Sequence, residues 1–151
     1  MEDKLHFKKM GREFALQFLY QQEIQEEDLN CEKGLNKFWD QLEGSECFPQ
    51  NRFMRKGKEF AERLIYGYCE NSKKIDSIIK ANLDNWEFDR ISSVNKNIMR
   101  ISTYEMIFCD DIPNVVSIKE AVNIAVEFSD DKSRSFINGM LNSIKNSLEE
   151  K

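Results

Sequence analysis

The stretch Lys8-Lys9-Met10-Gly11-Arg12-Glu13-Phe14-Ala15-Leu16-Gln17-Phe18-Leu19-Tyr20-Gln21 decides the reading of the fold. It belongs to a longer run, Leu5 to Ile24, in which Gly11 is the one residue that disfavours a helix. At the helical period Phe7, Met10, Phe14 and Phe18 share a face, as the core stripe of a packed helix would. Lys8, Lys9 and Arg12 fall on a separate arc roughly opposite, which Leu16 and Leu19 take over in the next turns. The helix is therefore expected to be basic on one side at its start and buried all round at its end. Residues 4 to 12 contain Lys4, Lys8, Lys9 and Arg12 and no acid, whereas Glu23, Glu26, Glu27 and Asp28 follow soon after. Charge is segregated along the chain.

The same spacing recurs beyond this helix. A helical piece is predicted around Leu35, Phe38, Trp39 and Leu42, inside an acidic segment from 23 to 50 broken by Gly34, Gly44 and Pro49. A second basic stretch, Arg52, Arg55, Lys56 and Lys58, leads into a helix with Phe60, Leu64, Ile65 and Tyr68. The next carries Ile75, Ile78, Ile79 and Leu83 and ends at a turn whose Trp86 and Phe88 are expected to fold back on the core. Ser92 or Ser93 caps a helix with Val94, Ile98, Ile101, Met106 and Ile107, which Pro113 stops. Ser117-Ile118-Lys119-Glu120 reads as a capping box for a short helix through Ala121, Val122, Ala125 and Val126. Asp130 or Asp131 caps the last helix, with Phe136, Ile137, Leu141, Ile144 and Leu148. The reading is all-α, about seven helices in two packed bundles within one domain, 1–151. The bundles divide at about 1–85 and 86–151, with no flexible linker between them.

Composition points the same way. Two prolines and six glycines in 151 residues leave little punctuation for a β-sandwich or barrel. Hydrophobic residues at 40% and charged residues at 32% fit a soluble globular chain. No apolar run approaches the roughly 20 residues that span a bilayer, and the opening Met1-Glu2-Asp3-Lys4 has no secretory pattern. A cytoplasmic protein without membrane contact is expected, and its four cysteines, at 31, 47, 69 and 109, read as scattered reduced thiols. The net charge of −5 speaks against a nucleic-acid partner only as an average, because a partner feels the local field within about 8–10 Å.

Catalytic patterns are missing. His6 is the single histidine, the glycines at 11, 34, 44, 57, 67 and 139 never cluster, and no nucleophile elbow or P-loop occurs. Asp110-Asp111 precedes a proline and reads as a helix stop rather than a metal pair. No Cys/His spacing suits zinc. The chain reads as a binder, not an enzyme, without cofactor or metal.

Three ordered blocks then carry a resemblance. The opening Lys8-to-Gln21 stretch, the centre Asn82-Leu83-Asp84-Asn85-Trp86 with Val94-Asn95-Lys96-Asn97-Ile98-Met99-Arg100 and Tyr104-Glu105, and the end Glu120-Ala121-Val122 with Ser133-Arg134-Ser135-Phe136-Ile137-Asn138-Gly139-Met140-Leu141 resemble the NusB family of transcription antitermination factors. Mainly residues 25 to 60 stay unmatched. The chain departs from the family where lysines and Met10 stand for consecutive arginines, Asn95 for an acid, Lys119 for an asparagine and Ser129 for a glycine.

The resemblance implies binding of boxA-type single-stranded RNA together with NusE, a ribosomal small-subunit protein. It further implies action in the RNA polymerase antitermination complex, with read-through and ribosomal RNA transcription as the outcome. Some members self-associate, so a homodimer is among the expected assemblies. Candidate RNA-binding residues are Lys8, Lys9, Arg12 and Tyr20 at the start; Lys96 and Arg100 in the centre; and Lys132, Ser133, Arg134, Phe136 and Asn138 at the end. Lys8, Lys9 and Arg12 suit phosphates. Tyr20 and Phe136 are either core aromatics or rings for unstacked bases. Lys96 and Arg100 either extend the basic surface or line a solvated helix face. Asn138-Gly139 costs about 1 kcal/mol inside a helix, which a close backbone contact or polar readout would explain. Two readings compete with RNA binding: a protein-protein adaptor that never touches RNA, and the N-terminal part of a ribosomal RNA cytosine methyltransferase. The latter is disfavoured because no cofactor-binding domain follows within the chain.

Overall fold

The computed structural model describes residues 2–24, 31–44, 51–83 and 87–149, with side chains from residue 7 in the first stretch and from residue 34 in the second. Seven α-helices and no strand occur among them: α1 Glu2–Ile24, α2 Cys31–Glu43, α3 Arg52–Glu70, α4 Ser72–Ala81, α5 Ser93–Phe108, α6 Asn114–Phe128 and α7 Asp131–Glu149. No described helix is long and apolar enough to cross a membrane. The chain falls into two compact units, Met1–Cys69 and Glu70–Lys151. α4 packs on α5 and α7 and so belongs to the second unit; the sequence reading draws the division one helix later, near residue 85.

The first unit is built where α1 meets α3. A Cβ added at Gly11 would lie 2.9 Å from the Gly57 carbonyl oxygen and 3.1 Å from the Ala61 nitrogen, and one at Gly57 would lie 3.1 Å from the Met10 sulfur. Glycine at both positions lets the two backbones touch, and this approach explains Gly11 in an otherwise favourable helix. Ala15, Leu16, Phe18 and Leu19 fill the interior with Phe60, Ala61, Leu64, Ile65 and Tyr68 of α3. α2 adds an aromatic cluster: Phe14 on Trp39 (centroids 5.4 Å apart), Phe18 on Phe38 (5.6 Å) and Phe38 on Trp39 (5.2 Å), all edge-on. α1 is not buried all round at its end, for Gln17, Tyr20, Gln21 and Ile24 are exposed.

α5 is the central helix of the second unit, with α4, α6 and α7 packed on it. Ile98, Met99 and Ile101 meet Ile75 and Ile79 of α4, Ile118, Ala121, Ile124 and Ala125 of α6, and Ile137, Leu141 and Ile144 of α7 in one core. Ser92 caps α5, its Oγ accepting from the Asn95 amide at 3.2 Å. α6 does not begin at the Ser117 capping box; it begins one turn earlier, at Asn114, behind an extended Pro113. Ser117 is an interior residue of α6, and its hydroxyl donates to the buried Glu105 carboxylate of α5 at 2.9 Å. Proline, already set at the helical φ and lacking an N–H, starts the helix without a side-chain cap.

Two further expectations meet the structure differently. Phe88 is half-buried in a 3-10 turn, Phe88–Arg90, while Trp86 lies outside the described residues. Cys69 is disulfide-bonded and Cys109 is a buried thiol. The reading of four reduced cysteines is thus corrected at Cys69. Pairing needs Cβ atoms roughly 3.8 Å apart, a property of helix packing that spacing along the chain does not carry.

Candidate nucleic-acid interface

The candidate residues of the first unit divide by burial. Lys9 is exposed and Lys8 half-buried, its ammonium 5.8 Å from the centre of the Phe60 ring. Arg12 is 3% exposed, its guanidinium 5.5 Å from the same ring. It shares an arc with Leu16 and Leu19, so the packing that buries those leucines buries Arg12 as well. Arg12 holds α1 against α3 rather than presenting a fork to solvent. Tyr20 is 40% exposed, which resolves its two sequence readings against a core position. α3 adds Lys56, whose ammonium lies 5.6 Å from the Phe7 ring centre.

In the second unit Lys96 is 7% exposed, with its ammonium 4.8 Å from the Phe88 ring centre. Arg100 is held from both sides. Its Nε and one terminal nitrogen each donate to an Asp76 carboxylate oxygen at 3.0 Å, and the other terminal nitrogen donates to Asn97 Oδ1 at 3.0 Å. Neither lines a solvated face. Lys80 also approaches Phe88, at 5.0 Å, and Arg100 at 5.4 Å, so three cations surround one ring. This clamp fixes the 3-10 turn on α4 and α5.

The start of α7 is different, because its polar groups gather around a cleft. Asp130 Oδ1 caps the helix, accepting from the Ser133 amide at 2.7 Å. The buried Ser133 hydroxyl accepts from Asn95 Nδ2 at 2.8 Å and lies 2.9 Å from the Ser129 hydroxyl. Hydrogen bonding to the Ser133 side chain first, then to its backbone, holds the Asp130 carboxyl below the usual aspartate range. The cleft, of about 320 Å³, is lined by Arg90, Ile91, Ser92, Asn95, Asp130, Lys132, Ser133 and Phe136. Asn95 Oδ1 is buried there without a hydrogen-bond partner. The cleft thus combines a half-buried ring, two exposed cations (Arg90 and Lys132) and an acceptor with spare capacity.

Arg134 and Asn138 are exposed beyond this cleft, on α7. The Asn138 carbonyl and side-chain oxygens accept from Asn142 Nδ2, at 2.8 and 3.3 Å. Among the described residues no atom lies within 4 Å of a Cβ built at Gly139, so none of their contacts explains that glycine. Arg90 and Asn95 were not among the residues singled out for binding. Their sequence signals are a lone arginine before a helix cap and an asparagine in the first turn, neither of which marks a cleft.

The NusB family profile matches residues 10–146. The transcription antitermination protein NusB of Bacillus licheniformis is 42% identical over 142 residues, 94% of this chain and 98% of that protein. Among solved structures, T. maritima NusB is similar over 92% of this chain and 90% of its own, with 34% identity and a TM-score of 0.75. A chain in a crystal structure of the antitermination factors NusB and NusE in complex with dsRNA is similar over 94% of this chain and 98% of its own, with 25% identity and a TM-score of 0.77. With the family profile spanning all but the two ends, and a relative matching almost the whole length, the chain belongs to the NusB family.

Proposed function

We propose that this protein is a cytoplasmic antitermination factor that binds boxA-type single-stranded RNA together with NusE. In this reading it acts in the RNA polymerase antitermination complex and promotes read-through and ribosomal RNA transcription. It works by binding, without catalysis or cofactor. The observation that carries the reading is the cleft at the start of α7. Its ring, cations and open acceptor are the groups that unstacked bases and phosphates use. The NusB chain solved with NusE and dsRNA supports the same direction.

Within this reading Phe136 offers its ring to a base, Lys132, Arg134 and Arg90 meet phosphates, and Ser133 and Asn95 hold the floor of the cleft. Lys8 and Lys9 supply phosphate contacts from the first unit, and Tyr20 is available as a stacking surface. Arg12, Lys96 and Arg100 act through position, keeping α1 and the Phe88 turn in place. Asn138, exposed on α7, adds a polar contact to the RNA in this reading.

A boxA-like RNA titrated with and without NusE, at several salt concentrations, tests the reading. Binding that strengthens with NusE and weakens with salt is expected. No binding at low salt with NusE present overturns it. The adaptor reading starts from the acidic segment Glu23 to Glu32, most of which lies outside the described residues, and gains a second surface in the α6 face of Val115, 62% exposed, and Val126, 43% exposed. Binding of NusE with no RNA affinity in any salt would favour it. Sedimentation of the same samples reads out a homodimer.

A further inference from the structure

Resting on the RNA reading above, we propose that the first turns of α3 form a second phosphate-binding track, in which Arg52 and Arg55, with Lys56 beside them, hold the RNA backbone next to Lys8 and Lys9. Residues 51 to 58, Asn-Arg-Phe-Met-Arg-Lys-Gly-Lys, contain four cations and no acid; Glu59 is the first. The structure separates these cations by task. Lys58 is taken up by Glu43 at 2.7 Å and lies over Trp39. Lys56 lies over Phe7, while Arg52 and Arg55 are exposed and have no ion-pair partner among the described residues.

Packing brings this run to the basic start of α1. Gly57 touches Met10, Gly11 touches the Gly57 carbonyl, and Lys8 lies over Phe60. Basic runs more than forty residues apart in sequence thereby occupy adjacent turns of two touching helices. The run does not serve the helix itself. Arg52 with Arg55 and Arg52 with Lys56 are like-charge pairs at spacings that destabilise a helix, and cations in a first turn oppose its dipole. A cap, Asn51 Oδ1 accepting from the Met54 amide at 2.8 Å, already secures the start. Exposed arginine forks retained at such a cost fit a polyanion, whose phosphates they bind in pairs. The nearest acids on the helix, Glu59 (exposed) and Glu62 (half-buried), follow the run rather than interrupt it.

The test is a salt series of RNA titrations, in the presence of NusE, with the wild type, R52Q/R55Q and the control K37Q/K73Q, whose lysines are exposed on α2 and α4. On single-stranded RNA each lost phosphate contact lowers the slope of log affinity against log salt by about 0.7. R52Q/R55Q is therefore expected to reduce the slope by about 1.4, with a urea midpoint equal to or above that of the wild type, while the control leaves the slope unchanged. A wild-type slope in R52Q/R55Q overturns this proposal alone, as does an equal reduction in the control. Absence of RNA binding by the wild type overturns the functional reading together with it.

Discussion

The two units each set cations against an aromatic ring, with opposite results. In the first, Lys8 and Arg12 face Phe60 and Lys56 faces Phe7. Only Arg12 of these is buried, and Lys9, Arg52 and Arg55 stand exposed around them. In the second, Lys80, Lys96 and Arg100 face Phe88, but Lys96 is buried and Arg100 spends three nitrogens on Asp76 and Asn97. A ring positions a cation without consuming its donors, whereas a bidentate carboxylate consumes them. The same contact therefore accompanies a solvent-presented set of cations in one unit and an internal clamp in the other.

Arg12 is the sharpest test, because it is the one cation of the first group that belongs to the interior. Arg12→Glu places an acid where a cation meets Phe60 and is expected to cost about 3 kcal/mol or more in urea unfolding. Lys9→Glu, on the exposed side, is expected to leave the urea midpoint within about 0.5 kcal/mol of wild type and to weaken RNA binding. If both variants stay folded and lose RNA affinity alike, the division between buried and presented cations fails. For the second unit, Asp76→Ala leaves Arg100 without its carboxylate at a half-buried position, an expected loss on the order of 1–3 kcal/mol. If Arg100 serves only as a clamp, RNA affinity of the folded fraction should hold even though the variant releases two of its donors; a changed affinity would bring the freed guanidinium to the RNA. A Phe88→Leu variant sharpens this, removing the ring from three cations at an expected cost of about 1–2 kcal/mol.

These effects also show where the sequence could be read. The helices were legible because each has its own apolar period, and even the burial of Arg12 stands in the sequence, on the arc it shares with Leu16 and Leu19. Reading a basic arc and a leucine arc as successive zones of one helix hid the fact that a partner helix covers both. Ser117 misled for a different reason. Ser-x-x-Glu has the spacing of a cap, but inside α6 its hydroxyl is satisfied by Glu105 of another helix, and local sequence holds no trace of that bond. The cleft was half legible: Lys132, Ser133 and Phe136 follow from the α7 motif. Arg90 and Asn95 reach it from a 3-10 turn and from α5, a meeting made by tertiary packing alone.

Gly139 offers a smaller test of which face of the second unit is used. Alanine there meets nothing among the described residues, so Gly139→Ala is expected to stabilise the protein by about 0.5–1 kcal/mol, read as a higher Tm. If RNA and NusE affinity are unchanged at the same time, the outer face of α7 is not a contact and Asn138 leaves the site. A lower affinity in a more stable protein would assign the bare backbone to a partner.

The smallest expected effect separates the units by pH. α3 starts on a neutral cap, Asn51, and α7 on an ionisable one, Asp130, each accepting from the amide three residues on. Asp130 has its carboxyl lowered by the Ser133 hydrogen bonds, so folding favours the charged form. Its contribution is complete above the ordinary aspartate value of about 3.9 and is lost as the pH falls through the lower folded value. Between pH 5 and 2.5 the Ser133 amide resonance should therefore shift and its exchange protection decline, while the Met54 amide stays unchanged until global unfolding. Asp130→Asn keeps an acceptor and removes the titration, so its Ser133 amide should become as indifferent to acid as Met54. A Ser133 amide that titrates equally in Asp130→Asn would show that the Asp130 carboxyl is not the source, and the neutral-against-charged distinction between the two helix starts would then fall.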